Sequence, residues 1–538
     1  MADILNPVLR GFNPDPSILR VGDDYYIATS TFEWFPGVQI HHSRDLRHWR
    51  LVSRPLSRRS QLDMAGDPDS GGIWAPCLSY SDGLFYLVYT DVKSHLGPFK
   101  DTPNYLVTAP SVEGPWSEPV YLNSSGFDPS LFHDDDGRKW LVNMIWDHRK
   151  GKNPFGGIAL QEYSVEEQRL VGPIWNIFRG TGLGLTEAPH LYKHGGYYYL
   201  MTAEGGTRFG HAVTVARSKS LFGPYVVDPE NPILTAAGRP ELELQRSGHA
   251  SLVETQTGDW YLAYLCGRPL RPSMRCNLGR ETALQPVEWT ADGWLRLAGG
   301  GNSPKQVVPA PDLPDHPFPP EPETDHFNGP ELSIHFQTLR EPIEEAWASL
   351  AARPGWLRIT GRASLYAKHR QSLIARRQQA FTAEAETAVE FEPTTFQQMA
   401  GLVYYYNTNN YYYLHISRDE QLGKCLNIMF SDRGEYDEAL DAPVSVEGWT
   451  RVYLKASLHY EQLQFWYSRD GETWLPIGPV LDASIISDEN SETLIGGRLI
   501  DQGFTGAFLG ICVQDLSGQG QYADFDYFTY REREGEEA

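Results

Sequence analysis

The chain has few cysteines, little positive charge and no long hydrophobic run. Its five cysteines among 538 residues lie far apart without a CxxC pair, which argues against a disulfide framework or a zinc knuckle. The formal charge of −23 disfavours nucleic acid and anionic membranes as partners. No apolar run approaches the roughly 20 residues of a membrane span, and the first seven residues resemble no signal peptide. We therefore expect a cytoplasmic protein with reduced cysteines.

A two-strand pattern repeats five times in the first half of the chain. Each copy begins with a short motif and continues, about ten residues later, with a Gly/Asp turn and an aromatic strand, as hairpins require. The motifs are Asp15-Pro-Ser-Ile-Leu, Trp74-Ala-Pro-Cys-Leu, Asp128-Pro-Ser-Leu-Phe, Glu187-Ala-Pro-His-Leu and His249-Ala-Ser-Leu-Val. Five small antiparallel sheets, spaced at roughly 55–60 residues, predict a five-bladed β-propeller over residues 1–305.

A proline-dense segment, residues 306–323, follows the repeats. Because proline neither pairs in a central strand nor continues a helix, this segment is predicted to be a semi-rigid linker. Residues 324–538 again contain short strands with hairpin turns, such as Leu402–Tyr406 and Tyr411–Ile416. This pattern predicts a β-sandwich of the concanavalin or lectin-like jelly-roll type, and so an all-β protein.

The first residues of the five motifs form the candidate site. If the inner strands of the blades begin at equivalent positions, these residues meet at one mouth of the channel: Asp15, Trp74, Asp128, Glu187 and His249. Burying three carboxylates together is costly, but glycoside hydrolysis needs one protonated and one ionised carboxyl group beside the glycosidic bond.

Each of these residues also has a structural explanation when taken singly. An aspartate before proline often caps a turn, Trp74 could belong to the core, and His249 could be a hydrogen-bonded core histidine. A calcium ion near His249 is a less favoured alternative, since calcium prefers oxygen ligands. The sequence otherwise indicates no metal and no required cofactor.

The ordered set of motifs resembles glycoside hydrolase family 43, in particular its two-domain β-xylosidases, over essentially the whole chain. The resemblance rests on Gly11-Phe12-Asn13-Pro14-Asp15-Pro16-Ser17, Gly72-Ile73-Trp74-Ala75-Pro76, Gly126-Phe127-Asp128-Pro129-Ser130, Thr186-Glu187-Ala188-Pro189-His190, Gly248-His249-Ala250 and Leu278-Gly279-Arg280-Glu281-Thr282. It implies that Asp15 is the general base, Glu187 the general acid and Asp128 a carboxylate that modulates their pKa. It also implies that Arg280 contacts substrate hydroxyl groups and balances the carboxylates.

The same resemblance implies an aromatic wall around the sugar. Its candidates are Phe32, Trp74, Phe127 and Trp146. In such enzymes the sandwich also sends a phenylalanine over the pocket, for which Phe508 is the first candidate and Phe504 the alternative.

These features predict an inverting, exo-acting hydrolase that releases D-xylose from the non-reducing ends of β-1,4-xylooligosaccharides. Asp128 is expected to raise the proton affinity of Glu187 by like-charge repulsion. An α-L-arabinofuranosidase, or an enzyme with both activities, stays open because the two sugars can present similar hydroxyl groups. A non-catalytic glycan-binding protein is a remote alternative, since binding needs no carboxylate cluster. The resemblance also implies a homo-oligomer, a dimer or tetramer.

Overall fold

The structure is a computed structural model that describes residues 2–495 and 498–533. Over these ranges it is almost entirely β-structure. The described helical segments are a 3-10 turn at Ala483–Ile485 and a single α-helical turn at Asp488–Ser491. The all-β prediction is therefore confirmed. Within the described residues, no helix has the length and apolar character to cross a membrane.

Five antiparallel sheets form the blades of the propeller, and their first strands contact one another around the axis. Blade 1 contains Ser17–Val21, Asp24–Thr29, Gln39–Ser43 and Arg50–Ser53. Blade 2 contains Gly72–Ser81, Leu84–Val92, Asn104–Ala109 and Val120–Asn123. Blade 3 contains Ser130–His133, Lys139–Trp146, Phe155–Ser164 and Arg169–Phe178. Blade 4 contains Glu187–His194, Tyr197–Glu204, Ala212–Ser218, Val226–Val227 and Leu234–Thr235, and blade 5 contains Gln245–Glu254, Trp260–Gly267, Glu281–Trp289 and Leu295–Leu297.

Tight turns and apolar faces explain why each repeat forms a blade. In the first hairpin of blade 2, Gly83 has a φ of 80°, a left-handed conformation that residues with a Cβ atom adopt at a cost. Blades then pack face to face through alternate apolar side chains. Ile40 of blade 1 packs in one fully buried cluster with Leu87 and Val107 of blade 2. The five-bladed propeller is confirmed.

The propeller includes a strand that the sequence assigned to the linker. Asp3–Leu5 pairs antiparallel with Val307–Pro309. Proline is tolerated there because the pair is an isolated two-stranded ribbon with open edges. The first residues of the predicted linker therefore pack on the propeller as a paired strand.

The second domain is a sandwich of two antiparallel sheets, as predicted. In hydrogen-bonded order, the first sheet contains Ala348–Ser349, Leu357–Thr360, Tyr522–Glu532, Thr382–Glu390, Arg451–His459, Gln462–Ser468 and Leu475–Asp482, with Thr324–Asp325 beside Tyr522–Glu532. The second sheet contains Leu373–Arg377, Phe508–Asp515, Gln398–Asn407, Asn410–Asp419, Gly423–Asp432 and Glu435–Glu438, with Val444–Ser445 beside Gly423–Asp432. Buried side chains of both sheets, such as Leu454 and Leu402, share one core.

Four short segments complete the described strands. Thr338–Leu339, which precedes the first sheet in the chain, pairs with Trp34–Phe35 of the propeller. Thr493–Ile495 pairs with Arg498–Asp501. The sandwich is thus joined to the propeller by backbone pairing as well as by side chains.

The second sheet of the sandwich packs against the propeller through an aromatic interface. Phe508 is fully buried, and its ring stacks on Trp34 with centroids 3.7 Å apart and planes inclined by 11°. The Phe12 ring lies 5.9 Å away in an edge-on arrangement. Because aromatic pairs add to the stability gained from buried area, this interface holds the sandwich at a fixed position beside the channel mouth.

Candidate active site

The blade-opening motifs meet at one channel mouth, as predicted. Two of the five predicted first residues, however, are not at equivalent backbone positions. In each blade one residue of left-handed conformation stands before a proline or, in blade 5, before Ala250. These residues are Asp15, Ala75, Asp128, Ala188 and His249, with φ between 38° and 57°. Trp74 and Glu187 are therefore not equivalent to Asp15, because each lies one position earlier, at a strand irregularity. The shared proline was the sequence signal that would have given this alignment.

A pocket of about 310 Å³ opens at this mouth. Side chains from every blade and from the sandwich line it. Every predicted site residue except Phe508 contributes: Asp15, Phe32, Trp74, Phe127, Asp128, Trp146, Glu187, His249 and Arg280. The structure therefore brings together residues that are separated by as many as 265 positions in the chain.

Asp15 is held as a carboxylate by its hydrogen-bond partners. Ser30 Oγ donates to its Oδ2 over 2.7 Å, and Arg280 Nη1 donates to its Oδ1 over 3.1 Å. His249 Nδ1 lies 3.5 Å from the same Oδ1. Burial alone would raise the pKa of Asp15, but Arg280, His249 and Ser30 outweigh it and bring the pKa below its ordinary value. Asp15 is thus ionised at neutral pH.

Glu187 is held in the opposite state. Burial raises the pKa of Glu187 to about 8, and the charge of Asp15 adds to this effect, whereas Arg280 and Lys100 oppose it. The carboxyl group is therefore mostly protonated at neutral pH. A pocket with one ionised and one protonated carboxyl group has the pair that glycoside hydrolysis requires.

Asp128 accepts a hydrogen bond from the backbone N–H of Ala188 over 3.0 Å, so it contacts the chain next to Glu187. Burial raises the pKa of Asp128 well above its ordinary range, with further contributions from Glu187 and Asp15. The sequence predicted that Asp128 raises the proton affinity of Glu187. In the structure the leading causes at Glu187 are burial and the charge of Asp15.

Arg280 connects Asp15 to the sandwich. Besides Asp15, its guanidinium donates to Thr207 Oγ1 over 2.9 Å and to the backbone carbonyl of Phe504 over 3.1 Å. It also lies over the rings of Phe32 and Phe504, 5.3 and 5.4 Å from their centroids. Its buried Nε has no hydrogen-bond partner among the described residues. Arg280 can therefore balance Asp15 while part of its hydrogen-bonding capacity stays available.

Phe504, not Phe508, is the sandwich residue that lines the pocket. Its ring lies 6.0 Å from Phe32 and 5.6 Å from Trp74. The preference for Phe508 was wrong because the strand Phe508–Asp515 turns that ring into the domain interface. Phe504 stands on the loop before this strand, where its backbone N–H donates to Ser70 Oγ over 3.0 Å.

The remaining aromatic residues form a continuous wall. Trp74 meets Phe127 edge-on, with centroids 5.4 Å apart, and Phe127 lies 6.4 Å from Trp146. The indole N–H of Trp74 donates to the Ser70 carbonyl over 2.8 Å, which fixes the ring. Flat apolar faces beside polar groups suit a sugar ring, which has both kinds of surface.

Sequence reasoning missed several residues that line the pocket. They are Lys100, Phe155, Leu185, Thr207, Arg208 and Gln502, together with Gly205 and Gly206. These residues lie on loops or blade strands outside the repeated motifs, so no sequence signal marked them.

His249 lies beside the carboxylate of Asp15, where the sequence left calcium as a less favoured alternative. Among the described residues, the group of His, Cys, Asp or Glu side chains with metal-ligand spacing is Asp45, His48 and Asp315. There Asp45 accepts hydrogen bonds from His48 and from the backbone N–H of His316. That calcium ion stays a prediction.

Comparison with known proteins assigns this architecture. The model of the family "Glycosyl hydrolases family 43" matches residues 4–295, more than half of the chain. The chain belongs to glycoside hydrolase family 43. A second model, "Beta xylosidase C-terminal Concanavalin A-like domain", matches residues 324–531. This family 43 protein is therefore a glycosidase, as the sequence predicted, and its second domain is of the concanavalin type.

Individual relatives extend over nearly the whole family 43 chain. It is 51% identical to "Beta-xylosidase" of Bacillus subtilis, with 98% of this chain and 100% of the relative covered. It is also 51% identical to "Xylosidase/arabinosidase 43B" of Humicola insolens, over 99% and 98% of the two chains. The crystal structure of xylan beta-1,4-xylosidase from Bacillus halodurans superimposes with a TM-score of 0.96 at 60% identity, over 98% of this chain and 100% of the other.

Proposed function

We propose that this family 43 glycosidase releases D-xylose from the non-reducing ends of β-1,4-xylooligosaccharides with inversion of configuration. The observation that carries the proposal is the opposite protonation of two carboxyl groups in one aromatic pocket. Asp15 is ionised beside Arg280, and Glu187 is protonated by burial. The names of the Bacillus relatives support xylose as the sugar.

In the proposed mechanism Asp15 removes a proton from a water molecule as the water oxygen attacks the anomeric carbon. Glu187 gives its proton to the glycosidic oxygen while the bond from carbon to that oxygen breaks. The two residues belong to blades 1 and 4, which blade 5 separates on the shorter way round. Inverting enzymes need a separation of roughly 6.5–9.5 Å so that water fits between the carboxyl groups.

The pocket wall that the sandwich contributes favours action at the ends of sugar chains. Phe504 and Gln502 of the sandwich line the pocket together with the propeller residues. We propose that this wall keeps a sugar chain from running across the site, so that one terminal sugar enters. We also propose that the protein acts in the cytoplasm and as a dimer or tetramer, both from the sequence.

A second candidate function is the release of α-L-arabinofuranose, alone or with xylose. The specific observation in its favour is the Humicola relative, whose name includes both activities. The non-catalytic alternative no longer applies, since the family consists of hydrolases and the pocket has the required carboxyl pair.

The experiment is a panel of 4-nitrophenyl glycosides followed by proton NMR of the released sugar. We expect turnover of the β-D-xyloside and of xylobiose, with α-xylose appearing before mutarotation. The Asp15→Ala variant should lose turnover on every substrate while it stays folded, because no base remains. β-Xylose as the first anomer, or an Asp15→Ala enzyme near wild-type activity, would contradict the proposal. A higher kcat/KM on the α-L-arabinofuranoside would favour the second candidate.

A further inference from the structure

Lys100 is a cation in the pocket that the mechanism above does not use. It lies in the loop between Leu84–Val92 and Asn104–Ala109 of blade 2 and lines the pocket together with Glu187. Its Nζ donates to the His95 carbonyl over 2.5 Å and lies 4.4 Å from the centroid of the Trp146 ring. Within residues 2–495 and 498–533, no carboxylate forms an ion pair with it.

The loop that carries Lys100 is anchored at several points. Trp146 Nε1 donates to the Pro98 carbonyl over 3.0 Å, and the backbones of Ser94 and Asp101 form a bridge. A ring nitrogen of His95 lies 2.9 Å from the carbonyl oxygen of Asp69. The ammonium group is therefore held in place before substrate binds, which reduces the cost of reorganising it during the reaction.

The charges around Glu187 come from four blades. Asp15 and Asp128 face it from blades 1 and 3, Arg280 from blade 5 and Lys100 from blade 2. Arg280 already forms an ion pair with Asp15. Lys100 has no ion-pair partner among the described residues. A charged Glu187 raises the pKa of Lys100, and Lys100 in turn opposes the rise in the pKa of Glu187.

The two arginines that line the pocket pair with Asp15 and Glu492, whereas Lys100 forms no ion pair among the described residues. Burial lowers the pKa of Lys100 to about 8, an effect that Glu187 opposes. Burial also lowers the pKa of His95 to about 4, so this histidine is neutral at pH 7. The pKa values of Lys100 and Glu187 thus both lie near 8, and a negative charge on Glu187 favours the positive charge on Lys100.

We infer that Lys100 stabilises the negative charge that forms on Glu187 as this acid protonates the leaving group. The inference rests on the proposed acid role of Glu187. The proton leaves the Glu187 carboxyl group for the glycosidic oxygen, and the carboxylate that remains lies in a buried pocket where an isolated charge is costly. Lys100 acts through Glu187 and is thus a positioning residue. It matters most when the leaving group needs that proton.

The test compares Lys100→Met with Lys100→Arg on two substrates. Xylobiose needs a proton on its leaving oxygen, whereas 4-nitrophenyl β-D-xyloside has a leaving group that departs without one. We expect Lys100→Met to lower kcat on xylobiose roughly tenfold, the factor that corresponds to one pKa unit of acid strength. Its kcat on the nitrophenyl substrate should change little. The alkaline limb of the pH profile should move to higher pH, because Glu187 then holds its proton more strongly.

Two controls support this comparison. Lys100→Arg keeps the positive charge and should return both the kcat on xylobiose and the alkaline limb toward wild type. Lys152→Met removes a charge from an exposed position in the neighbouring blade and should change neither. Equal losses of Lys100→Met on both substrates, an unmoved alkaline limb, or a loss confined to KM would overturn the inference.

A Glu187→Gln background separates this inference from the proposed function. If Lys100 acts through Glu187, adding Lys100→Met to Glu187→Gln should cause no further loss on the nitrophenyl xyloside. A further loss would mean that Lys100 contacts the substrate directly, and the inference would be wrong. If Glu187→Gln alone loses equally on xylobiose and on the nitrophenyl xyloside, the acid role itself fails, and the proposed function fails with it.

Discussion

Two phenylalanines four positions apart should respond to truncation in opposite ways. Phe504 faces the pocket, whereas Phe508 is fully buried between the domains. We expect Phe508→Ala to destabilise the fold with little direct effect on the chemistry. We expect Phe504→Ala to weaken catalysis with a smaller effect on stability, because its ring is only partly buried.

The expected magnitudes follow from the contacts of each ring. Truncating a buried phenylalanine to alanine costs about 3–5 kcal/mol, and Phe508 also loses its stacked partner Trp34 at 3.7 Å. Since each kcal/mol lowers Tm by about 2–4 °C in domains of this size, Tm should fall by about 6–20 °C. Phe504 has looser ring contacts, at 5.6 Å from Trp74 and 6.0 Å from Phe32, each worth about 0.5–1.5 kcal/mol.

The assay pairs thermal unfolding with steady-state kinetics on 4-nitrophenyl β-D-xyloside well below either Tm. Phe504→Ala should lower kcat/KM by about tenfold or more, the equivalent of about 1.4 kcal/mol of lost contact with the sugar. Phe508→Leu is the matched control, since it keeps most of the apolar volume. If Phe508→Ala kept its Tm and lost kcat/KM, or if Phe504→Ala kept its kcat/KM, the placement of the two rings would be refuted.

Three further outcomes follow from the buried charges. Glu187→Ala should lose far more activity on xylobiose than on the nitrophenyl xyloside, and equal losses would argue against an acid role. Because the pKa of Glu187 rises from 4.5 to about 8 on folding, wild-type stability should fall between these pH values, and Glu187→Gln should gain Tm relative to wild type over that range. A difference in Tm between Glu187→Gln and wild type that stays the same from pH 4.5 to 8 would contradict this expectation. Arg246 pairs with Asp488 over 2.7 Å, and both side chains are fully buried. Arg246→Met should therefore lower the free energy of unfolding, measured with denaturant, by about 3–5 kcal/mol. A loss below about 1 kcal/mol would show that the fold does not depend on the pair.

The repeated motifs allowed the propeller and most of its site to be predicted from sequence. Four of the five motifs place a functional side chain within two residues of a proline at the start of an inner strand, so Asp15, Asp128 and Glu187 could be brought together from the sequence. The alignment of the five motifs with one another did not follow from their chemistry. Trp74 and Glu187 were aligned with Asp15 by chemistry, whereas the backbone aligns Ala75 and Ala188 with it. In blades 2 and 4 the side chain that lines the pocket therefore lies one residue before the position equivalent to Asp15.

Residues outside the repeats could not be predicted in the same way. Phe504 and Phe508 share one short segment, and which ring enters the pocket depends on where the strand begins, at Phe508. Lys100 lies on a blade 2 loop without a repeated counterpart. Its position depends on the contacts of Pro98 with Trp146 and of Lys100 with His95, which only the folded structure reveals. The strand Val307–Pro309 could not be predicted because it gains its partner from the other end of the domain.

The distribution of the carboxyl groups over separate blades affects how the acid and the base are spaced. Asp15, Asp128 and Glu187 open blades 1, 3 and 4, and each blade is a closed unit of hydrogen bonds. No single loop joins Asp15 to Glu187, because the two groups stand on separate blades. The distance between them depends on the apolar packing of blade 5 against blade 1, as at Ile27 and Leu284, and against blade 4, as at Met201 and Leu262. Substitutions at these packing positions would change the distance between the two carboxyl groups, and so would affect catalysis without contacting either group.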